Sequence, residues 1–116
     1  PASYAREEFI DEETGITSIK IGCDFGENQD LDHGLISGGW MKENWAIHPN
    51  DPNSATVDAQ WENTGGRAET MWRTNIKSAM HSDETHFFIT ANLRAYENNK
   101  LIFERDYSDK IIRNLV

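Results

Sequence analysis

The sequence predicts an all-β protein, an antiparallel meander of about six to eight strands that forms a sandwich or a small barrel. Three observations predict this class. Apolar residues recur at every second position over long segments, which is the period of a strand. Short polar turns separate these segments. Patterns compatible with a helix occur only in short pieces, at 6–11 and at 108–113, where Ser108 could cap the helix.

The most regular segment runs from His86 to Tyr96. Phe87, Ile89 and Leu93 fall on one side of it, and polar residues fall mostly on the other. A polar turn at 97–100 contains two asparagines, a residue type that tolerates left-handed backbone conformations. The alternation resumes from 101 to 107, so the two segments predict a hairpin.

A second hairpin is predicted upstream. Residues 55–62 and 68–80 both alternate, and Asn63–Gly66 between them is expected to be the turn because glycine accepts positive φ. The side of both hairpins that carries the large apolar residues is expected to be mostly buried as the core. Its members are Trp61, Trp72, Ile76, Phe87, Ile89, Leu93, Leu101 and Phe103.

The N-terminal half is less regular. Residues 16–25 predict a strand, 26–30 a loop, and 45–47 a further strand. Three glycines between 32 and 42 indicate bends or bulges. The segment 48–54 contains two prolines and is expected to be a turn-rich connection, while the acidic segment 8–13 fits a strand end or a short helix.

Length and charge limit the functional classes. The 116 residues have the size of one domain, 1–116, and the net charge of −9 argues against nucleic acid and against an anionic membrane surface as partners. The single cysteine, Cys23, excludes an intramolecular disulfide and fits a cytoplasmic protein. The chain has no initiator methionine, so we expect an excised or processed piece.

No motif for catalysis or cofactor binding is found, and we predict no catalytic, cofactor-binding or metal-ligating residue. The sequence has neither a Gly-x-Ser-x-Gly nucleophile motif nor a phosphate-binding loop. His81 and His86 flank a turn, which favours two solvated histidines over a metal pair. The oxygen-rich segment 24–32 does not have the spacing of a calcium-binding EF-hand.

Trp40, Met41 and Trp45 form the candidate docking or ligand face. Their segment is aromatic but is interrupted by Gly38 and Gly39, so it is poorly patterned for a core strand. The two tryptophans could equally lie in the core. If they are exposed together, the isolated chain is expected to form a two-fold homodimer through them.

Several segments resemble a known protein family. The stretch from His48 to Ala55, HPNDPNSA, is similar to an HPDDPLSA stretch near the end of large bacterial hydrolases, the cocaine-esterase-like and X-prolyl dipeptidyl-peptidase-like proteins. The ending IIRNLV resembles their closing IPRDLV, although Ile112 replaces the proline and Asn114 the aspartate. Further similar segments, within a resemblance that covers roughly 30–116, are 32–35, 85–87, 93–97 and 103–105.

The resemblance implies a function without catalysis in this chain. In that family a Ser/Asp/His triad lies in an α/β-hydrolase domain, and a β domain accompanies it. The chain is therefore expected to be the C-terminal accessory β domain of such a hydrolase, which packs against the catalytic domain of the same parent chain or shapes access to it. The alternatives are a free-standing small-molecule-binding β-barrel and a small enzyme that uses histidine and carboxylate side chains in its interior.

Overall fold

The computed structural model describes residues 1–67 and 69–114, and seven strands account for most of them. The strands are β1 (Ser3–Ile10), β2 (Thr17–Gln29), β3 (Ile36–His48), β4 (Asp51–Arg67), β5 (Thr70–Ser82), β6 (His86–Glu97) and β7 (Lys100–Ile112). Their order in the sheet is their order in the chain, and every neighbouring pair is antiparallel. The predicted all-β antiparallel meander is confirmed. It is a single open sheet, so the expected closure into a sandwich or a small barrel is not seen.

The hairpin between β6 and β7 is confirmed. Glu97 pairs with Lys100, and Asn98 and Asn99 adopt φ of 48° and 65°. Two consecutive positive φ values are typical of the type I′ turn, whose twist matches that of the strands it joins. The Asn98 side chain also accepts a hydrogen bond from the Met71 amide at 2.9 Å, so it ties this turn to the start of β5.

The predicted turn at Asn63–Gly66 is wrong. Strand β4 continues through these residues to Arg67, which pairs with Thr70. Ala68, which the sequence placed in the following strand, lies outside the described residues. The two glycines serve a close approach: Gly65 is paired with Trp72, and a Cβ at Gly65 would lie 2.3 Å from the Trp72 ring.

Four other local expectations are corrected. The segment 108–113 is the end of β7 instead of a helical turn, and 6–11 is largely strand β1. The expected loop at 26–30 is mostly strand, because a bulge between Asp24 and Gly26 lets β2 continue to Gln29. In the expected turn-rich segment 48–54, only Pro49 and Asn50 form a turn, because β3 ends at His48 and β4 begins at Asp51. The last two residues of the resemblance, Leu115 and Val116, lie outside the described residues.

The expected burial of the core residues is wrong. Within the described residues only Gly65 and Gly66 are buried. Phe87, Ile89 and Leu93 are half-buried. The other five predicted core residues are exposed, namely Trp61, Trp72, Ile76, Leu101 and Phe103. The physical reason is that the chain forms one layer, so each side of the sheet has the sheet below it and no second layer above it.

Carboxylates hold two of the turns. Asp83 accepts hydrogen bonds from the amides of Thr85 at 2.8 Å and His86 at 2.7 Å, and these bonds lower the pKa of Asp83. Asp11 holds the β1–β2 turn in the same way, and hydrogen bonds from the Thr14 and Glu13 amides lower its pKa.

Asp83→Ala is expected to lower the urea midpoint of unfolding at neutral pH. Because the pKa of Asp83 is lower in the folded chain than in the unfolded chain, its contribution is present above the ordinary aspartate pKa and is lost as the pH falls through the folded value. The difference between variant and wild type should therefore shrink in acid. Glu84→Ala removes a charge from the same turn and is the control. Equal effects of both substitutions at neutral pH would contradict a specific role for the Asp83 hydrogen bonds.

No helix among the described residues has the length and hydrophobicity needed to cross a membrane.

Candidate functional site

The strand register separates the side chains into two faces of opposite character. Directly opposed residues in antiparallel strands share a face. Met41 is opposed to Trp61, Trp61 to Ile76, and Ile76 to Leu93, so these four lie on one side. We call this side the apolar face. Its large members are Tyr4, Ile10, Ile19, Ile21, Phe25, Met41, Trp45, Ile47, Val57, Trp61, Trp72, Ile76, Met80, Phe87, Ile89, Leu93, Phe103, Tyr107 and Ile111.

The opposite side, which we call the polar face, carries cross-strand hydrogen bonds and ion pairs. Asn44 donates to Asp58 at 2.9 Å, and Asn75 donates to Glu62 at 3.1 Å. Arg73 forms an ion pair with the same Glu62 at 3.7 Å. These groups are at least partly hydrated and satisfy one another, which is how a solvent-facing side of a sheet is built.

The surface area of the chain is large for its mass. A compact monomer of 13.3 kDa exposes about 6,500 Å². This chain exposes 8541 Å², about 2,000 Å² more. Its radius of gyration is 18.1 Å, against about 13 Å for a compact domain of this length. The excess surface area is explained by the single-layer architecture. One side of the sheet is apolar, as in the core of a domain, but no second layer of described strands covers it.

The centre of the apolar face is aromatic. Phe25 stacks on Trp61 with ring centroids 5.7 Å apart. Phe25 reaches this position because it lies at the bulge between Asp24 and Gly26, which breaks the alternation of β2. Trp61 nevertheless remains 38% exposed. A pair of large rings exposed at the centre of an apolar surface is typical of a protein–protein contact.

The end of the apolar face around Trp45 has two depressions. Trp45 stands between two open depressions, one of about 180 Å³ and one of about 230 Å³, and is itself 46% exposed. Val57, Met80 and Phe87 line the first depression. Ile19 and Ile47 line the second. An aromatic side chain between two apolar hollows can both insert into a partner and receive side chains from it.

Arg113 closes this end of the sheet. Its guanidinium donates to the Asn53 side chain and to the Asp83 carbonyl, each at 2.6 Å, and lies 5.0 Å from the Phe87 ring centroid. It therefore joins the start of β4, the β5–β6 turn and the end of β7.

The structure separates the three residues of the sequence-predicted docking face. Met41 and Trp45 lie on the apolar face, with Trp45 opposed to Val57. Trp40 lies on the polar face, where it is half-buried and the Lys42 ammonium lies 5.3 Å from its ring. The alternation of β3 produces this result because β3 pairs with β4 without a register shift from Trp40 to Trp45. The larger part of the apolar face, on β4–β7, was assigned to a buried core by the sequence pattern.

The histidines and the acidic segment considered as metal ligands make contacts typical of strand and turn residues. Phe88 lies between His81 and His86: its ring centroid is 4.8 Å from that of His81 and 6.2 Å from that of His86. In the acidic segment, Asp24 accepts the Gly26 amide at 2.8 Å and Asp30 pairs with His33 at 3.1 Å. Within 1–67 and 69–114, no group of three or more potential metal ligands is found.

Cys23 is half-buried and opposed to Met41 on the apolar face. This is the surrounding of a small apolar side chain.

The comparisons with known proteins give no relative. No family model matches the sequence, and neither a curated protein nor a solved structure similar to this chain is found. The two faces of the sheet and the residues that carry the family resemblance are therefore the features from which a function can be inferred.

Proposed function

We propose that this chain is a non-catalytic accessory β domain whose apolar face packs against the catalytic domain of a serine hydrolase of the X-prolyl dipeptidyl-peptidase and cocaine-esterase-like class. The observation that carries the proposal is the uncovered apolar face. Monomeric soluble proteins rarely expose contiguous apolar patches larger than a few hundred Å². The excess of about 2,000 Å² is in the range that one partner loses in a large, permanent interface.

The resemblance supplies the class of partner. The stretch His48–Ala55 lies beside Trp45 and Arg113, at the end of the apolar face that has the depressions. Pro52 and Ala55 line the depression together with Trp45. The residues that resemble the hydrolase family thus border the surface for which a partner is proposed, which supports a shared function for that stretch.

The small-molecule-barrel alternative has less support. It needs a closed sheet around an apolar cavity. The sheet formed by the described strands is open between β1 and β7, and its depressions, including one of about 600 Å³ beside Ala59, Ser78 and Tyr107, are open hollows instead of enclosed cavities.

The first test is the coding sequence around this segment. The proposal expects one reading frame, several times longer than this chain, that encodes an α/β-hydrolase domain with a Gly-x-Ser-x-Gly motif. A reading frame without a hydrolase domain would refute the assignment to this class.

The second test compares two tryptophans of β3 in that parent protein. Trp45→Ser removes an aromatic group from the apolar face, whereas Trp40→Ser makes the same change on the polar face. We expect Trp45→Ser to weaken docking by about 2–4 kcal/mol, the range of an aromatic hot spot, and to lower the parent's thermal midpoint. Trp40→Ser is the matched control and should have a markedly smaller effect. If the order is reversed or the two effects are equal, the apolar face is not the docking surface.

A further inference from the structure

Strand β7 leaves a long open edge. It pairs with β6 on one side, and the sheet order places no described strand on its other side. All 13 of its residues are exposed. The Lys110 amide donates to the Asp109 carboxylate at 2.8 Å, so it is turned away from β6. Because backbone groups alternate along a strand, the amides of Asp106 and Ser108 lie on the same free edge. Such an edge is a template for another strand.

We propose that a second copy of this chain pairs with this edge, β7 against β7, about a two-fold axis that passes beside Tyr107. This antiparallel register opposes Arg105 to Asp109 and Glu104 to Lys110 of the other copy, and the symmetry forms each pair twice. It also opposes Phe103 to Ile111, whereas Ile102 is the extra residue of a bulge and lies outside the match. Asp106 is opposed to the small polar Ser108. Two attractive charge pairs and one apolar pair on each side of the axis are the kind of arrangement that stabilises cross-strand contacts.

Neighbouring registers lack this match. Centred on Asp106, the strands oppose that carboxylate to itself and place Lys110 against Ile102. Centred on Ser108, they place Arg105 against Ile111 and Glu104 against Ile112. A two-fold axis perpendicular to the sheet also keeps the apolar faces of both copies on one side. The contact is isologous and closes at two copies, whereas pairing of β7 with β1 would continue into an open fibre.

The edge contact lies at the β7 margin of the apolar face and shares Phe103, Tyr107 and Ile111 with it. It uses backbone groups and the side chains of β7, and it leaves Trp45, Trp61 and both depressions accessible. The dimer predicted from the sequence used Trp40, Met41 and Trp45 instead, so the two kinds of association are distinguishable by experiment.

Cysteine cross-linking tests the register. Tyr107→Cys in a Cys23→Ser background places two thiols across the axis, at a non-hydrogen-bonded pair where the Cα atoms are about 4.5 Å apart, within the range of a disulfide. Phe103→Cys is the matched control. It lies on the same face of the same strand, with an exposure of 47% against 46% for Tyr107, but the proposed register separates its two copies by about 27 Å.

Under mild oxidation we expect most of the Tyr107→Cys protein to form a covalent dimer on a non-reducing gel, and little of the Phe103→Cys protein to do so. Phe103→Cys combined with Ile111→Cys should restore cross-linking. Absence of a covalent dimer for Tyr107→Cys, or equal cross-linking at 103 and 107, would overturn the proposal.

Charge exchange provides a second measurement that needs no cysteine. Arg105→Asp and Asp109→Arg each create two like-charge pairs across the axis, and the double variant restores both attractive pairs. On β6 these residues are opposed to Leu93 and Ile89, and within one copy Asp109 accepts the Lys110 amide and Arg105 lies 5.2 Å from the Tyr107 ring centroid, so the urea midpoint of each variant is measured beside its association. By sedimentation we expect each single variant to weaken dimerisation by about tenfold and the double variant to recover it. Unchanged association in the single variants, or no recovery in the double variant, would overturn the proposal.

One further variant separates this proposal from the proposed function. Trp45→Ser should leave cross-linking at residue 107 intact. Loss of the Tyr107→Cys dimer in that background would assign the association to the apolar face and overturn the edge contact.

Discussion

Gly66→Val is expected to abolish cooperative folding of the chain. Gly66 has a φ of +130°, a conformation that a β-branched residue cannot adopt without strain. A Cβ at this position would lie 2.1 Å from the Thr70 carbonyl oxygen and 2.9 Å from the Met71 Cα. Both atoms belong to the backbone of β5, so no side chain can rotate away to make room. Backbone strain and overpacking together cost about 3 kcal/mol or more.

This cost is large compared with the free energy of unfolding that a single-layer sheet can have. Ordinary domains are stable by only about 5–15 kcal/mol. Here the covered apolar area is small, since none of the described large side chains is fully buried. Loss of the β4–β5 pairing near Gly66 would also divide the sheet in the middle, because β4 and β5 join the N-terminal strands to the C-terminal pair.

Gly22→Ala is the control. Gly22 lies within β2, and a Cβ there would meet no atom within 4 Å. Its substitution should leave stability unchanged or raise it slightly, because alanine reduces the entropy of the unfolded chain. Far-UV circular dichroism and tryptophan fluorescence during urea unfolding measure both variants. A cooperative transition of Gly66→Val near the wild-type midpoint would show that the approach of β4 to β5 can relax.

A comparison of two predicted turns shows which local structures the sequence can predict. One is at Asn98 and Asn99, and the other is at Gly65 and Gly66. Asn98 and Asn99 were predicted to form a turn and do so, because two adjacent polar residues that tolerate positive φ have few other uses between alternating strands. Gly65 and Gly66 could equally mark a turn or a close contact between strands. The pairing of Gly65 with Trp72 distinguishes a close contact between strands from a turn. The sequence does not predict this pairing, because the partner of a strand residue depends on the register of the folded sheet.

Alternation predicted the composition of the two faces but not their burial. Phe87, Ile89 and Leu93 lie on one face, as the period of two requires. A period of two says which residues share a face, and it is the same whether that face meets a second layer of this chain or another protein. The expected core residues on β4–β7, with the exception of Leu101, which is opposed to Tyr96 on the polar face, therefore belong to one surface with the expected docking residues Met41 and Trp45.

The separation of Trp40 from Trp45 follows from the same rule. Positions five apart on an unbroken strand point to opposite sides. Gly38 and Gly39 precede both tryptophans, so the bend expected at these glycines does not affect the relative sides of Trp40 and Trp45. The pairing of β3 with β4 has no register shift from Trp40 to Trp45, which keeps the alternation intact between them.

The isolated chain is expected to hydrolyse activated esters and X-prolyl anilides no faster than the uncatalysed background. Enzymes of this type accelerate their reactions by about 10⁶-fold or more, so the assay has a wide margin. The cluster of side chains that most resembles a catalytic triad lies at the β5–β6 turn, where a hydroxyl, an imidazole and a carboxylate are adjacent. The Thr85 hydroxyl lies 2.6 Å from His86 Nδ1 and donates to Asp83 at 3.1 Å.

The geometry of this cluster is that of a capped turn. In a catalytic triad the carboxylate orients the imidazole, and backbone amides are left free to bind the oxyanion. Here the carboxylate of Asp83 accepts the hydroxyl of Thr85 and also the amides of Thr85 and His86. The two amides that could stabilise an oxyanion are thus bound to Asp83 itself. The hydrogen bonds from the Thr85 and His86 amides also lower the pKa of Asp83, as expected for a carboxylate whose charge is used to hold the turn.

The measurement is the release of chromophore by wild type, His86→Asn and Thr85→Val at equal concentrations. All three should give the same background rate, because exposed imidazoles contribute only weak, unspecific hydrolysis. Turnover that disappears in both His86→Asn and Thr85→Val would make the cluster a nucleophile and base, and would overturn the accessory-domain proposal. Turnover in the parent protein but not in this chain would instead locate the chemistry in another domain, which is the outcome that the accessory-domain proposal predicts.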